Sequence, residues 1–429
     1  MQIELDYSRE GLVLDLPDDL DIQVIRKPAM PLISNTRQAV LDALTQPTSS
    51  PAVAKLAQGK GSACILICDV TRPVPNQLFL QPLIRELVSG GIPLEAITIL
   101  VATGLHRPNE GEELASVVGD PWVMENVTVA NHFARDDAMH IDLGFTSTRH
   151  TPVKIDRRFV EADLRIATGL VEPHFMAGYS GGRKVIAPGV AHEDTIRTFH
   201  SARFIEDPLA IQCNLDGNPL HEEQLEIVKM LGDVYAINTV IDDQRQLAFV
   251  NFGEIITSHL AAVEFAHKVS TVDVQRRYRT LVTSAAGYPL DKTYYQAVKG
   301  MVTPLDILDQ GANLILAADC SEGIGSADYR ASQKRLLDEG SDAFLKGILK
   351  KKFADIDEWQ TEMLLRPTRV ANVHLFSRGL DPEDYHLTGV QMTASIEATI
   401  AKSVSESGDR SVAIIPEGPY VIPRYAGAA

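Results

Sequence analysis

The stretch Ser62–Pro73, SACILICDVTRP, is an apolar run that stops directly at an acid, a threonine and an arginine. Its length and its lack of alternation suit a strand covered on both faces, as in the interior of a parallel sheet. The same design recurs twice. Ile97–Pro108, ITILVATGLHRP, and Ala162–His174, ADLRIATGLVEPH, are apolar runs that end in His106–Arg107 and Glu172–His174. Such strands alternating with helical patterns, of which Gln81–Val88 is one, predict an open α/β sheet. Ligands of these sheets bind beyond the carboxyl ends of the strands, so Asp69, Arg72, His106, Arg107 and His174 fall on the expected side.

Working outward, residues 2–7 and 11–15 read as a hairpin, 35–46 as a short helix, and 121–131 and 138–143 as short strands. LEIVKMLGD predicts a helix, DVYAINTVIDDQRQLAFVNFGE strands, and residues 258–274 an amphipathic helix. His259 and His267 on that helix lie two turns apart, too far to share a metal, and are read as structural. His132, His140 and His150 form no constellation and are read as structural or exposed. The second half repeats the pattern, with strands at 278–287 and 311–319, VANVHLFSRG and SVAIIPEGPYVIP, and helices over TYYQAVKGMVTPLDIL and 330–352. The chain of 429 residues exceeds what one core usually holds. The expectation is two Rossmann-like α/β domains with the active site in the cleft between them. The first is a cofactor-binding and catalytic domain over 1–272, and the second, over 273–429, closes on the substrate.

The formal charge of −17 leaves no excess of Lys and Arg to neutralise phosphates, which argues against a nucleic-acid partner. The four cysteines, Cys64, Cys68, Cys213 and Cys320, form neither a disulfide scaffold nor a zinc pattern and suit a reducing cytoplasm. No apolar run approaches a membrane span, and the N-terminus reads as a strand, not a signal peptide.

The densest chemistry lies in Glu172–His200, EPHFMAGYSGGRKVIAPGVAHEDTIRTFH, where His174, Tyr179, Gly181, Gly182, Arg183, Lys184, His192 and His200 crowd together. Glycines beside reactive side chains suit a loop built around a ligand, although an exposed glycine-rich turn with incidental histidines has the same composition. His106, His174 and His200 would serve as general bases or as zinc ligands of a hydrolase. No H-E-x-x-H pair supports the zinc reading, YSGGRK lacks Walker spacing, and no G-x-G-x-x-G follows the first strong strand. From the residues alone, a hydrolase and a non-enzymatic small-anion-binding protein both stay open.

DVTRP at 69–73, TGLHRP at 103–108, EPH at 172–174, GYSGGRKVIAPG at 178–189, TIRTFH at 195–200 and GYPLDKTYYQAVKG at 287–300 resemble the nickel-pincer lactate racemase family. The resemblance runs over roughly residues 1–425. It implies racemisation or C2-epimerisation of a small 2-hydroxy acid through a 2-oxo acid, by reversible hydride transfer to a nickel pincer nucleotide. That cofactor is pyridinium-3,5-bisthiocarboxylic acid mononucleotide, which grips nickel through two sulfurs and a ring carbon and needs separate biosynthetic enzymes for loading. By the resemblance, Lys184 tethers the cofactor through a thioamide and His200 completes the nickel coordination. His106 and His174 are the two bases, and Arg72 positions the substrate carboxylate. Gln296 and Lys299 face the substrate, and Trp359 lines the pocket. Asp69, Thr71, Tyr179, Ser180, Gly181 and Gly182 resemble segments around the nucleotide. Tyr294, Tyr295 and Ser321 offer hydroxyls that would suit a polar substrate tail, such as that of a sugar acid.

Overall fold

Ala63 to Ile67 are all buried, as the unbroken apolar run requires. A computed structural model describes residues 1–427, and in it Ala63–Cys68 lies at the middle of a sheet flanked by parallel neighbours. One compact unit comprises Ala29–His200 and Asp207–Lys268. Its sheet runs in the order Leu247–Glu254, Tyr235–Ile241, Leu164–Leu170, Ala63–Cys68, Ile97–Ala102, Thr128–Asn131. All pairings are parallel except that of the edge strand Leu247–Glu254, which returns antiparallel from Tyr235–Ile241. Ile65, Ile67, Ile99 and Ile166 meet Phe79, Leu83, Ile84 and Leu87 of the helix Asn76–Ser89 in one apolar core.

From Ala63–Cys68 the chain winds outward to Ile97–Ala102 and Thr128–Asn131, then returns to the opposite side with Leu164–Leu170. The strand order therefore reverses between Ala63–Cys68 and Leu164–Leu170. At such a reversal the loops leaving the two strands run to opposite sides, and the strand ends there are the usual ligand position of such sheets.

The other compact unit comprises Met1–Pro28, Ser201–Glu206 and the chain from Val269 onward. Its sheet, in the order Gln391–Met392, Ala371–Phe376, Leu308–Ala317, Tyr278–Ser284, Ser411–Ile415, Asp21–Val24, is parallel throughout among the described residues. The expected single division at 272/273 thus assigns the N-terminal residues differently from the structure. Asp21–Val24 completes the second sheet beside Ser411–Ile415, and the hairpin of Gln2–Leu5 with Leu12–Asp15 buries Ile3, Leu5, Leu12 and Leu14 against Val282, Ile315 and Val412.

Three elements differ from expectation for local reasons. Pro121–Asn126 is a helix, with Asp120 accepting a hydrogen bond from the Val123 amide at 3.1 Å and proline at its first turn, so only Thr128–Asn131 of that segment is strand. The helix expected at 330–352 is two helices, Ala327–Glu339 and Ser341–Ile348, parted by Gly340 at φ 79°. Trp359 lies on a helix, Glu358–Val370, that the sequence reading did not identify. The hairpin at the N-terminus, the helix over residues 36–45 and the strands on either side of residue 244 fall where expected.

Candidate active site

Asp69 is the first residue beyond the strand Ala63–Cys68 and is 5% exposed. Its Oδ1 accepts hydrogen bonds from the Thr71 amide at 3.2 Å and the Thr71 hydroxyl at 2.5 Å. Its Oδ2 meets Nδ1 of His106 at 2.6 Å. Burial pushes the Asp69 carboxyl up, but the hydrogen bonds from His106 and Thr71 outweigh it and leave the group below its ordinary value. An ionised carboxylate at Nδ1 keeps a proton on that nitrogen, so Nε2 of His106 carries the lone pair. The His106 side chain is 62% exposed, so its basic nitrogen is accessible while its other nitrogen is anchored.

Arg72, in the same loop, reaches Glu172 in the loop after Leu164–Leu170, with Nη1 2.6 Å from Oε1. Glu172, the partner of Arg72, was given no role by the sequence reading. Its only signal was its place in the EPH loop. His174, two residues on, is held differently from His106. Its Nδ1 accepts from the backbone amides of Ala177 at 3.2 Å and Met176 at 3.4 Å. One imidazole is thus oriented by a carboxylate and the other by main-chain donors.

No residue from Glu172 to His200 is in the exposed class, which overturns the exposed-turn reading of this segment. Its backbone is fastened from below. Asn218 donates to Met176 O at 3.0 Å, His259 Nε2 lies 2.8 Å from Ser180 O, and Gln224 donates to Ala187 O at 3.0 Å. The Tyr179 hydroxyl meets His267 Nδ1 at 2.7 Å, and the Ser180 hydroxyl donates to Leu170 O at 2.8 Å. His259 and His267 are therefore structural, as expected, and the structure they support is this loop. Gly181 at φ 77° lies against the strand end, where a Cβ would come 2.7 Å from Val171 Cγ2. That close approach explains the glycine.

Lys184 follows, in the short helix Arg183–Ile186. The Cys68 thiol, pushed up to about 12 by burial and by Asp69, is opposed by the charges of Arg72 and Lys184, which sets those cations near the end of the central strand. His200 caps the helix Glu193–Phe199, and its Nδ1 donates to Ile196 O at 2.8 Å. Burial, with Lys184 adding to it, lowers His200 to about 4, so the ring is neutral near pH 7 with its lone pair on Nε2. This is the form a metal ligand needs. Among the described residues no three His, Cys, Asp or Glu side chains gather into a metal-holding group. A metal at His200 would take its remaining donors from a bound group, which fits a pincer and disfavours a zinc hydrolase.

Gln296, Lys299 and Trp359 lie in the other unit, on Tyr294–Val302 and Glu358–Val370. Oε1 of Gln296 is buried with no hydrogen-bond partner among the described residues, an acceptor open to a donor. Trp359 Nε1 donates to the Tyr295 hydroxyl at 3.2 Å, and the Tyr294 hydroxyl donates to Thr388 O at 2.6 Å. Both tyrosine hydroxyls are engaged within the fold, which weakens the case for a polar substrate tail.

The description of a lactate racemase N-terminal domain matches residues 7–212, and that of a lactate racemase C-terminal domain matches residues 275–422. The chain is 31% identical over 438 residues to the lactate racemase of Thermoanaerobacterium thermosaccharolyticum, covering 98% of this chain and 99% of the relative. It is 30% identical over 388 residues to that of Lactiplantibacillus plantarum, covering 90% of each. The solved lactate racemase apoprotein of T. thermosaccharolyticum superimposes with a TM-score of 0.89 at 29% identity, covering 99% of this chain and 100% of that one. A Thermotoga maritima protein of 18% identity shares the fold, with a TM-score of 0.67 over 92% of this chain and 99% of that one. With both domains matched and nearly the whole chain aligned, the protein belongs to the lactate racemase family, nickel-pincer-nucleotide enzymes whose chemistry is racemisation or epimerisation by hydride transfer.

Proposed function

We propose that this chain racemises or epimerises a short 2-hydroxy acid at a nickel pincer nucleotide attached to Lys184, with His200 as the protein's nickel ligand. The carrying observation is geometric: His200 Nδ1 is committed to the Ile196 carbonyl at 2.8 Å, near Lys184, and among the described residues no three His, Cys, Asp or Glu side chains gather into a metal-holding group. When bound, the pincer nucleotide supplies a reversible hydride acceptor for the substrate C2. Lys184 would hold the group as a thioamide, its amine replacing a thiocarboxyl oxygen with loss of water.

Nε2 of His106 takes the substrate hydroxyl proton, and Asp69 stabilises the resulting imidazolium. Arg72 holds the substrate carboxylate through charged hydrogen bonds, and Glu172 fixes the guanidinium for that contact. His174 serves the enantiomer whose hydroxyl lies on the opposite side. Two bases are needed because the planar 2-oxo acid receives its hydride on either face. Gln296, Lys299 and Trp359 keep the roles that the family resemblance assigns them. Commitment of the Tyr294 and Tyr295 hydroxyls supports a short apolar tail over a polyhydroxylated one. Among the described residues no helix is long and apolar enough to cross a membrane. A cytoplasmic location follows from the reading of the cysteine pattern in the sequence. Loading by separate cofactor-making enzymes is part of the same reading.

The test incubates protein co-expressed with those enzymes with enantiopure C3 to C6 hydroxy acids and follows optical purity, alongside intact mass. Racemisation of a short aliphatic acid with a Lys184-dependent mass adduct is expected. An adduct that persists in Lys184→Ala would sink the attachment assignment.

A further inference from the structure

Arg183 is 2% exposed, and no carboxylate contacts it among the described residues. A buried cation without a counter-anion is normally avoided, so its retention needs a reason. Nε of Arg183 donates to His221 Nδ1 at 2.7 Å, and Nη2 donates to the carbonyls of Ala177 and Tyr179, each at 3.2 Å. Nη1 lies 2.9 Å from Nε2 of His259, a nitrogen that also faces Ser180 O at 2.8 Å and so serves one of the two at a time. The guanidinium therefore ties its own loop, at Ala177 and Tyr179, to the helices Pro219–Leu231 and Ile255–Ser270. Gly182, at φ 48°, is shaped for the same arrangement, because a Cβ there would come 2.8 Å from the His259 ring. A planar fork of five donors reaches acceptors on several sides at once, and a lysine ammonium cannot.

Arg183 is also the residue immediately before Lys184. We infer that Arg183, braced by His221 and His259, is a positioning residue that holds the turn 177–182 so that Lys184 is presented for covalent attachment of the cofactor. The inference rests on the assignment of Lys184 as the tether. Arg183 acts on the backbone, not on the reacting atoms, so its loss slows attachment through misplacement of the amine.

The experiment co-expresses wild type and Arg183→Lys with the cofactor-making enzymes and follows the adduct on the chain by intact mass over time. Circular dichroism and the thermal midpoint are recorded on the same samples. Arg183→Lys is expected to fold, with adduct accumulating about 10²-fold more slowly than in wild type. Accumulation at the wild-type rate would overturn the inference. Should Arg183→Lys fail to fold, His221→Asn decides. It keeps an acceptor but loses the ring, so slowed attachment with an unchanged midpoint supports the positioning role, and wild-type attachment refutes it. An adduct missing from wild type, or surviving in Lys184→Ala, counts against Lys184 as the tether and leaves the two failures distinguishable.

Discussion

Asp69 and His106 stand 37 positions apart in the chain and 2.6 Å apart in space. The carboxylate is buried at the strand end with one oxygen on the imidazole. In the proposed reaction it would fix the tautomer and stabilise the imidazolium formed when His106 takes a proton. Asp69→Asn keeps the shape and removes that stabilisation, so kcat is expected to fall by roughly 10²–10⁴ while the covalent adduct is retained. Steady-state kinetics with mass-verified protein check this, and near-wild-type kcat would remove Asp69 from the mechanism. Both residues were legible as strand-end groups, because a polar residue directly after an apolar strand is a one-dimensional signal. Their pairing was not, since Asp69 read as a nucleotide contact. Glu172 went unassigned for the same reason: its partner Arg72 is 100 positions away.

The loop Glu172–His200 shows what element-scale reading misses. Composition suited a ligand loop and an exposed turn alike, but segments far along the chain reach back to it: Asn218, Gln224 and His259 meet its carbonyls, and His221 and His267 meet the Arg183 and Tyr179 side chains. Gly181→Ala would force a side chain into Val171 at positive φ, and a loss of about 2–4 kcal/mol is expected by urea unfolding. A change below about 0.5 kcal/mol would mean the turn relaxes freely. The histidines beneath the loop make the folded protein acid-sensitive. Burial lowers His221 to about 3, with Arg183 adding to it, and burial also depresses His259 and His140. In the unfolded chain they titrate near pH 6.5, so below about that pH the unfolded state takes up protons that the folded state refuses. Stability is therefore expected to fall as pH drops below about 6.5. Thermal midpoints of apoprotein at pH 7.5 and 5 test this, with a smaller decline expected in His221→Asn. Equal midpoints at the two pH values would show that these rings do not control the acid limb.

At the scale of the whole molecule, the N-terminal residues decide the integrity of a sheet built otherwise from the end of the chain. Removing residues 1–28 strips the edge strand Asp21–Val24 and the apolar face Ile3, Leu5, Leu12 and Leu14. A destabilisation of roughly 5 kcal/mol or more is expected, visible as a lower midpoint or a lost cooperative transition. A truncated chain as stable as the full one would mean the hairpin is an accessory. The sequence by itself determined the two α/β units, the strand ends that bear the chemistry and the family, because buried parallel strands and glycine-rich loops write themselves into local composition. The tertiary structure alone decided which carboxylate meets which imidazole, what surrounds the buried Arg183, and which unit owns the N-terminus. Those are contacts between segments tens to hundreds of residues apart, and no local pattern in the chain records which distant group will meet a given donor.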